Sequence, residues 1–301
     1  MEKPIVSIIL RTKNEACALE KVLESIFKQR LDLTFEVIVI DSGSTDATLD
    51  IARRFKTRIY EIDSTEFSFG FSLNFGIGKA EGGIVICLSG HCIPVDTQWM
   101  KRLVAPLLAD VDIAATFGRQ EPIKGLNPLE EIMLLNQFSP DVYGEIKVVF
   151  SNANCAIRKQ VLVSHPFDEV AVAAEDFIWA RTLPDGLGIQ YVHDASVYHS
   201  HPLSLEYWSK RFYRDAFFRE YIKGVYDLEW QGMIPGYDAS GLFVKLLKQL
   251  EWGVRGISDM VLYMTKNRYF KQMLLVPVFV ALFHFNNWKG GRDGKRKYGG
   301  S

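Results

Sequence analysis

Short apolar runs alternate with amphipathic segments along the first 120 residues or so. Val6–Leu10, Val37–Ile40 and Ile84–Leu88 carry no polar break, so each predicts a strand buried on both faces, the mark of a parallel sheet. Arg58–Ile62 and Val111–Phe117 predict two more strands. Between them, Leu19, Val22, Leu23, Ile26 and Phe27 recur at the spacing of an amphipathic helix. Further helices are expected through Ile51 and Ala52 to Phe55, near Ser72–Ala80 (ended by Gly82-Gly83), and around Trp99, Leu103 and Leu107, with Asp96 or Thr97 as cap. Strands alternating with helices in this way predict an α/β fold, a doubly wound sheet.

The pattern then loosens. Residues 119–147 read as a loop-rich connector with one helix around Pro128–Phe138. Val148–Ile157 predicts a strand broken by polar residues, with a helix starting at Arg158; Ala173–Arg181 predicts a helix opening on two acids. Ile189–Val192 and Ser196–His199 are expected as two short strands. From Leu203 the chain is helical and rich in aromatic residues, which reads as packing. Met273–Phe285 is apolar over 13 residues and contains Pro277, short of the roughly 20 that span a bilayer. Lys289–Lys297 follows with five basic residues and one acid. The pair reads either as an interfacial anchor on an anionic leaflet or as a buried terminal helix with a solvated tail.

The 301 residues, 48% hydrophobic, suffice for one large core or two modest ones. A net charge of −1 leaves no global basic field, which argues against nucleic acid as a partner. Cys17, Cys87, Cys92 and Cys155 show no paired metal spacing, so free thiols in a reducing cytosol are expected. Met-Glu-Lys-Pro runs straight into the first strand, so no signal peptide is expected.

Candidate chemistry sits where strands end. Three tips are polar: Thr12, Asn14 and Glu15; Asp41; and Ser89-Gly90-His91. In a parallel sheet they share one edge, the edge where open α/β sheets bind ligands. After Asp41, Ser42-Gly43-Ser44-Thr45 turns the chain, with Ser44 or Thr45 able to cap the next helix and Asp46 in its first turn. Glu175 and Asp176 either compensate a helix dipole or carry chemistry. His199 and His201 share one face of an extended segment, suiting either a metal or pyrophosphate contact or an ordinary surface pair.

Taken in order, Ser7–Glu15, Val39–Asp46, Phe67–Gly76, Leu88–Pro94, Glu175–Trp179 and Val197–His201 resemble the family 2 glycosyltransferases of GT-A fold, and within them bacterial rhamnosyltransferase-like members. The resemblance covers about residues 4–215. It implies a GT-A domain over 1–215, with a donor half 1–118 and an acceptor half 119–215, in which a mixed, mostly parallel sheet is flanked by helices. Residues 216–301 then form a helical extension of the kind often associated with membranes. Thr12, Asn14 and Glu15 would hold the donor nucleoside, and Asp41, with Ser42 beside it, a pyrimidine base. Asn74 and Lys79 would approach the donor phosphates and sugar. Asp176 would be the general base of an inverting transfer, with Glu175 beside it, and Trp179 an acceptor platform.

The family's acidic metal motif is replaced here by Ser89-Gly90-His91. A divalent cation, Mn2+ or Mg2+, is still implied. Without a carboxylate, however, the imidazoles of His91, His201 and His199 are its expected ligands, a set less suited to a hard ion. The implied reaction moves a sugar from a UDP- or dTDP-sugar to a glycan or lipid-linked acceptor, in the cytoplasm or at the inner face of the plasma membrane. Two alternatives remain: an inactive sugar-binding or assembly subunit, and a sugar nucleotidyltransferase. The latter needs a glycine-rich phosphate loop, and Arg11–Glu15 has no glycine.

Overall fold

The three unbroken apolar runs lie side by side in the interior of an eight-stranded sheet. The computed structural model describes residues 3–138, 150–171, 173–228, 261–262 and 264–299. The strands are β1 (Val6–Thr12), β2 (Phe35–Asp41), β3 (Arg58–Glu61), β4 (Ile84–Ser89), β5 (Ile93–Pro94), β6 (Ile113–Glu121), β7 (Asn154–Arg158) and β8 (Gly188–Tyr198). Their order is β3-β2-β1-β4-β7-β6-β8-β5. β1 runs parallel to both β2 and β4, and β2 to β3. β7 is antiparallel to β4 and to β6, while β6 and β8 are parallel. The sheet is therefore mixed and mostly parallel, and β1 stands where the strand order reverses, the usual place for a ligand crevice.

Alternation along β1 divides the core. Val6, Ile8 and Leu10 face one layer with Leu19, Val22, Leu23 and Ile26 of α1 (Ala16–Phe27) and Trp99, Leu103 and Leu107 of α4 (Trp99–Ala109). Burying each such side chain stabilises by about 1.5–3 kcal/mol. Ile9 faces the other layer, under α3 (Phe69–Lys79), where a Cβ on Gly76 would come within 2.8 Å of Ile9 Cγ2. The remaining helices of this unit are α2 (Thr48–Arg53), α6 (Lys159–Ser164) and α7 (Glu175–Arg181).

Two expectations change. Ile189–Val192 and Ser196–Tyr198 belong to one 11-residue strand rather than two, and it ends before the expected His199. The polar His193-Asp194 between them is absorbed by a register shift between Gly118 and Gln120, at a point where a Cβ on Gly118 would collide with Ala195 O. The strand expected over Val148–Ile157 pairs only from Asn154; its first two residues, like 139–147 of the expected connector, lie outside the described residues.

The chain divides into two units, Met1–Glu121 with Pro140–His199, and Pro122–Ser139 with Ser200–Ser301. The expected boundary at 215 falls inside α8 (Leu205–Tyr226), a continuous helix capped by Ser204, which accepts from Tyr207 N. The second unit also holds α5 (Pro128–Gln137), the single turn α9 (Phe270–Met273) and α10 (Val276–Tyr298). Leu129, Trp208, Met264, Val276 and Phe279 form its core. Gly290 and Gly294 let α10 touch the α8 backbone, where added Cβ atoms would meet Tyr213 O and Phe217 O. Of the expected extension, residues 229–260 lie outside the described residues. Among the described residues no helix is long and apolar enough to cross a membrane. The outward stripe of α10 nevertheless exposes Val278, Phe285 and Trp288 (41, 57 and 60%) and continues into the exposed Lys295 and Arg296.

Candidate active site

The tips of β1 and β2 are stitched together. Thr12 Oγ1 donates to Asp41 Oδ1 at 3.0 Å, and Ser44 Oγ donates to the same oxygen at 2.5 Å. Asp41 Oδ2 accepts from Gly43 N (3.0 Å) and Ser44 N (2.8 Å). Four donors use the acceptor capacity of a carboxylate, and Asp41 is fully buried. The carboxylate is turned into its own loop. Gly43, at φ +86°, permits that turn. Ser42 gives both its N–H and its hydroxyl to Thr12 O.

Asn14, at φ +56°, donates its N–H to Ser44 Oγ and accepts from Thr45 N through Oδ1, both at 2.8 Å. Ser44 and Thr45 are thus spent on the loop and do not cap α2. Asp46 does that work just before the helix: Oδ1 accepts from Thr48 N, and Oδ2 from Ala16 N at the start of α1. The hydrogen bond from the Thr48 hydroxyl holds its pKa below the usual range.

At the third tip, Gly90 N donates to Arg11 O at 3.0 Å. A Cβ on Gly90 would lie 2.8 Å from that oxygen and 2.9 Å from Thr12 Cγ2, so glycine is required there, directly after Ser89. His91 follows, its Nδ1 2.8 Å from Glu15 Oε1. Its ring lies 5.0 Å, centroid to centroid, from that of His199, whose Nδ1 meets Gln120 Oε1 at 2.5 Å. The fold therefore brings His91 and His199 together. His201 belongs to the second unit, where its Nδ1 lies 2.8 Å from Glu130 Oε1 and its ring stacks on Tyr207.

The acid pair lies deeper than dipole compensation would place it. Ala174 takes the left-handed conformation at φ +64° and starts α7. Glu175 is only 4% exposed and Asp176 half-buried. Asn152 bridges them, its backbone N–H donating to Asp176 Oδ2 (3.2 Å) and its side-chain amide to Glu175 Oε1 (3.3 Å). Asp176 Oδ1 accepts from Phe177 N. Burial, and then the neighbouring Asp176 charge, push Glu175 up to about 7. Burial also raises Asp176, against the hydrogen bond from Asn152 N–H. Beside the pair stands Arg11, Nη1 4.0 Å from Glu175 Oε1, with its guanidinium 4.7 Å from the Phe69 ring centroid. Reading the sequence did not single out Arg11. The available signal was a charge inside the strand, flanked by Leu10 and Thr12, both buried.

Three expected site residues are placed elsewhere. Asn74 donates to Phe167 O and Glu169 Oε1 and accepts from Phe167 N, clamping α3 to the loop after α6. It lines a cleft of about 520 Å3 with Ile77, Lys159, Leu162, Phe167 and Glu169, to which no strand-tip or acid-pair residue contributes. Lys79 ends α3, its ammonium over the rings of Tyr60 and Phe75, roughly 15 Å along the helix from Phe69. Trp179, the expected acceptor platform, is 1% exposed, donates through Nε1 to His165 O and packs on Phe150 and Phe167.

The Glycosyl transferase family 2 profile matches residues 7–164. The O-antigen chain rhamnosyltransferase RfbN of Salmonella typhimurium is 34% identical over 210 residues, covering 65% of this chain and 66% of the relative. The O-antigen chain rhamnosyltransferase WbaN of Salmonella anatum is 30% identical over 211 residues, covering 66 and 67%. The matched stretch thus spans about two thirds of each relative's length. Among solved structures, the mannosyltransferase PcManGT from Pyrobaculum calidifontis, in complex with GDP-Man and Mn2+, shares the fold with a TM-score of 0.57 at 17% identity, covering 96% of this chain and 88% of that one.

Proposed function

The chain belongs to the family 2 glycosyltransferases, and from that membership we propose that it transfers a sugar, with inversion, from a pyrimidine nucleotide sugar to a glycan or lipid-linked acceptor, with Asp176 as general base. The observation that carries this reading is the buried Glu175–Asp176 pair, whose proton affinity is raised while Asn152 and Arg11 hold it in place. A base must accept a proton near working pH, and burial tunes a carboxylate in that direction.

In the proposed step the acceptor hydroxyl oxygen bonds to the anomeric carbon as the bond to the leaving diphosphate breaks, and the hydroxyl proton passes to Asp176. Asn152 N–H fixes the orientation of Asp176 by holding Oδ2. Glu175 shares the pair's proton, so the two acids titrate as a unit. Thr12, Asn14, Glu15, Asp41 and Ser42 are assigned the shape of the nucleoside loop.

A divalent cation fits the donor chemistry at the third tip. His91 and His199 are adjacent, and the carboxylate behind His91 would orient its ring as ligand-supporting carboxylates do. Imidazoles favour Mn2+ over Mg2+. When bound, the ion would offset the charge of the departing diphosphate.

The two Salmonella relatives, named as O-antigen chain rhamnosyltransferases, make a rhamnosyl donor and a lipid-linked polysaccharide acceptor the favoured pair. Such an acceptor agrees with the apolar and basic stripe of α10, which would rest on the inner leaflet of the plasma membrane. The competing reading, an inactive assembly subunit, gives no reason to keep two acids buried. The test is a screen of UDP- and dTDP-sugars, following release of the nucleoside diphosphate with a lipid-extract acceptor. Release that depends on acceptor and on Asp176 supports transfer. Donor binding without release under any condition supports the subunit.

A further inference from the structure

We propose that Arg11 is a positioning residue that holds the Glu175–Asp176 pair at one negative charge, and so keeps a base available near neutral pH. This rests on the reading of the pair given above. Arg11 Nη1 is buried at the tip of β1 and has no hydrogen-bond partner among the described residues. It stands 4.0 Å from Glu175 Oε1, while the Phe69 ring covers the guanidinium plane. A guanidinium does not lose its proton in a protein, so its charge is permanent, and a buried permanent charge needs a counter-charge.

Three charge states of the pair can be compared. With both acids protonated, Arg11 is a cation with no counter-charge among the described residues. With both ionised, the three groups carry a net negative charge in a poorly solvated place. With one proton on the pair, they are neutral together. The single-proton state is the one burial favours, and it contains one carboxylate able to take the acceptor's proton.

Among the described residues, the other titratable neighbours do not compete. Cys155 on β7 lies opposite Cys87 on β4, and burial keeps the Cys155 thiol protonated. Arg181, at the far end of α7, lies over the Phe177 ring. Arg11 pulls both carboxyl pKa values down. Its removal should therefore let the pair keep both protons to higher pH.

The experiment uses the full chain with Arg11→Gln and Arg11→Lys. Carbon-13 carboxyl NMR follows the pair's titration in the free protein, and the pH dependence of kcat follows it in turnover. An opposite charge at this distance moves a carboxyl pKa by roughly one to three units. In Arg11→Gln the first ionisation and the acid limb of kcat should both move up by at least about one unit, so that transfer falls most at the acid end of the profile. Arg11→Lys, which keeps the charge, should return both toward wild type. A purely structural Arg11 would lower the melting temperature and leave the titration where it is.

Coincident titrations in wild type and a folded Arg11→Gln overturn the proposal. If the titration moves but Asp176→Asn still transfers sugar, the charge balance stands and the base assignment falls. Should Arg11→Gln not fold, Arg11→Met, which also removes the charge, is titrated in its place: a first ionisation at least about one unit above wild type supports the proposal, and coincidence with wild type overturns it.

Discussion

Glu15 Oε1 lies 2.8 Å from Nδ1 of His91, joining the loop after β1 to the tip of β4 across 76 residues of chain. An ionised carboxylate can only accept, so Nδ1 carries the proton and the tautomer of His91 is set. Glu15→Gln should therefore weaken Mn2+ binding by about 10–100-fold, the usual size for a partner behind a ligand histidine. Electron paramagnetic resonance of Mn2+ with bound nucleotide measures this. Unchanged affinity counts against His91 as a ligand. Transfer that survives EDTA points instead to an imidazolium facing the diphosphate.

Asp176→Asn should bind donor normally and lose roughly 10²–10⁴-fold in transfer. The amide can still accept from Asn152 N–H but cannot take a proton at neutral pH. Glu175→Gln should be milder, because it removes the shared proton and leaves the base. Transfer within about threefold of wild type in Asp176→Asn excludes the base role.

Folding stability should depend on pH through Glu175. Its pKa rises from 4.5 to about 7 on folding, so the folded state binds the proton more tightly than the unfolded state. The resulting stability is fully present below about pH 4.5 and is lost as pH rises through about 7. Its full size is on the order of 3 kcal/mol. Urea unfolding at pH 5 and pH 8 should show this loss, and Glu175→Gln should flatten it. A wild-type protein equally stable at both values would contradict the burial argument.

Asp41→Asn tests the closed turn. An amide in place of the carboxylate turns N–H groups toward donors already present: the Thr12 and Ser44 hydroxyls, or the Gly43 and Ser44 N–H groups. One lost buried acceptor costs about 1–3 kcal/mol, so the melting temperature should fall together with affinity for UDP and dTDP. Unchanged melting with lost nucleotide binding would return Asp41 to direct contact with the base.

Phe285→Ala with Trp288→Ala should reduce flotation with vesicles containing anionic lipid, and Arg296→Glu should reduce it further, because apolar insertion and charge both contribute at such a surface. A wild-type chain that never floats would remove the membrane role of α10.

Much of the sheet was legible in the sequence because one physical rule governed it. Val37–Ile40 and Ile84–Leu88 are apolar at every position, only a doubly covered strand accommodates that, and their polar ends mark one edge. Residues whose meaning depends on tertiary neighbours were harder to read. Trp179 follows Asp176 by one helical turn, and local spacing does not show that Phe150 and Phe167 enclose it. Asn74 and Lys79 lie on the expected helix, yet local spacing says nothing of the Phe167 backbone that one clamps or the Tyr60 ring under the other. Arg11 became readable only when α7 brought Glu175 against it.

β7 was made last among the central strands, yet it lies between two that precede it in the chain. Until Asn154–Arg158 leaves the ribosome, the apolar edge of β4 has no neighbour on that side, and β6 cannot join the sheet through β7. A product ending near residue 121 would carry that open edge into solution, where it would pair with other chains. The first 121 residues are thus not a transplantable donor module. A chimaera intended to change donor preference must bring Asn154–Arg158 with them.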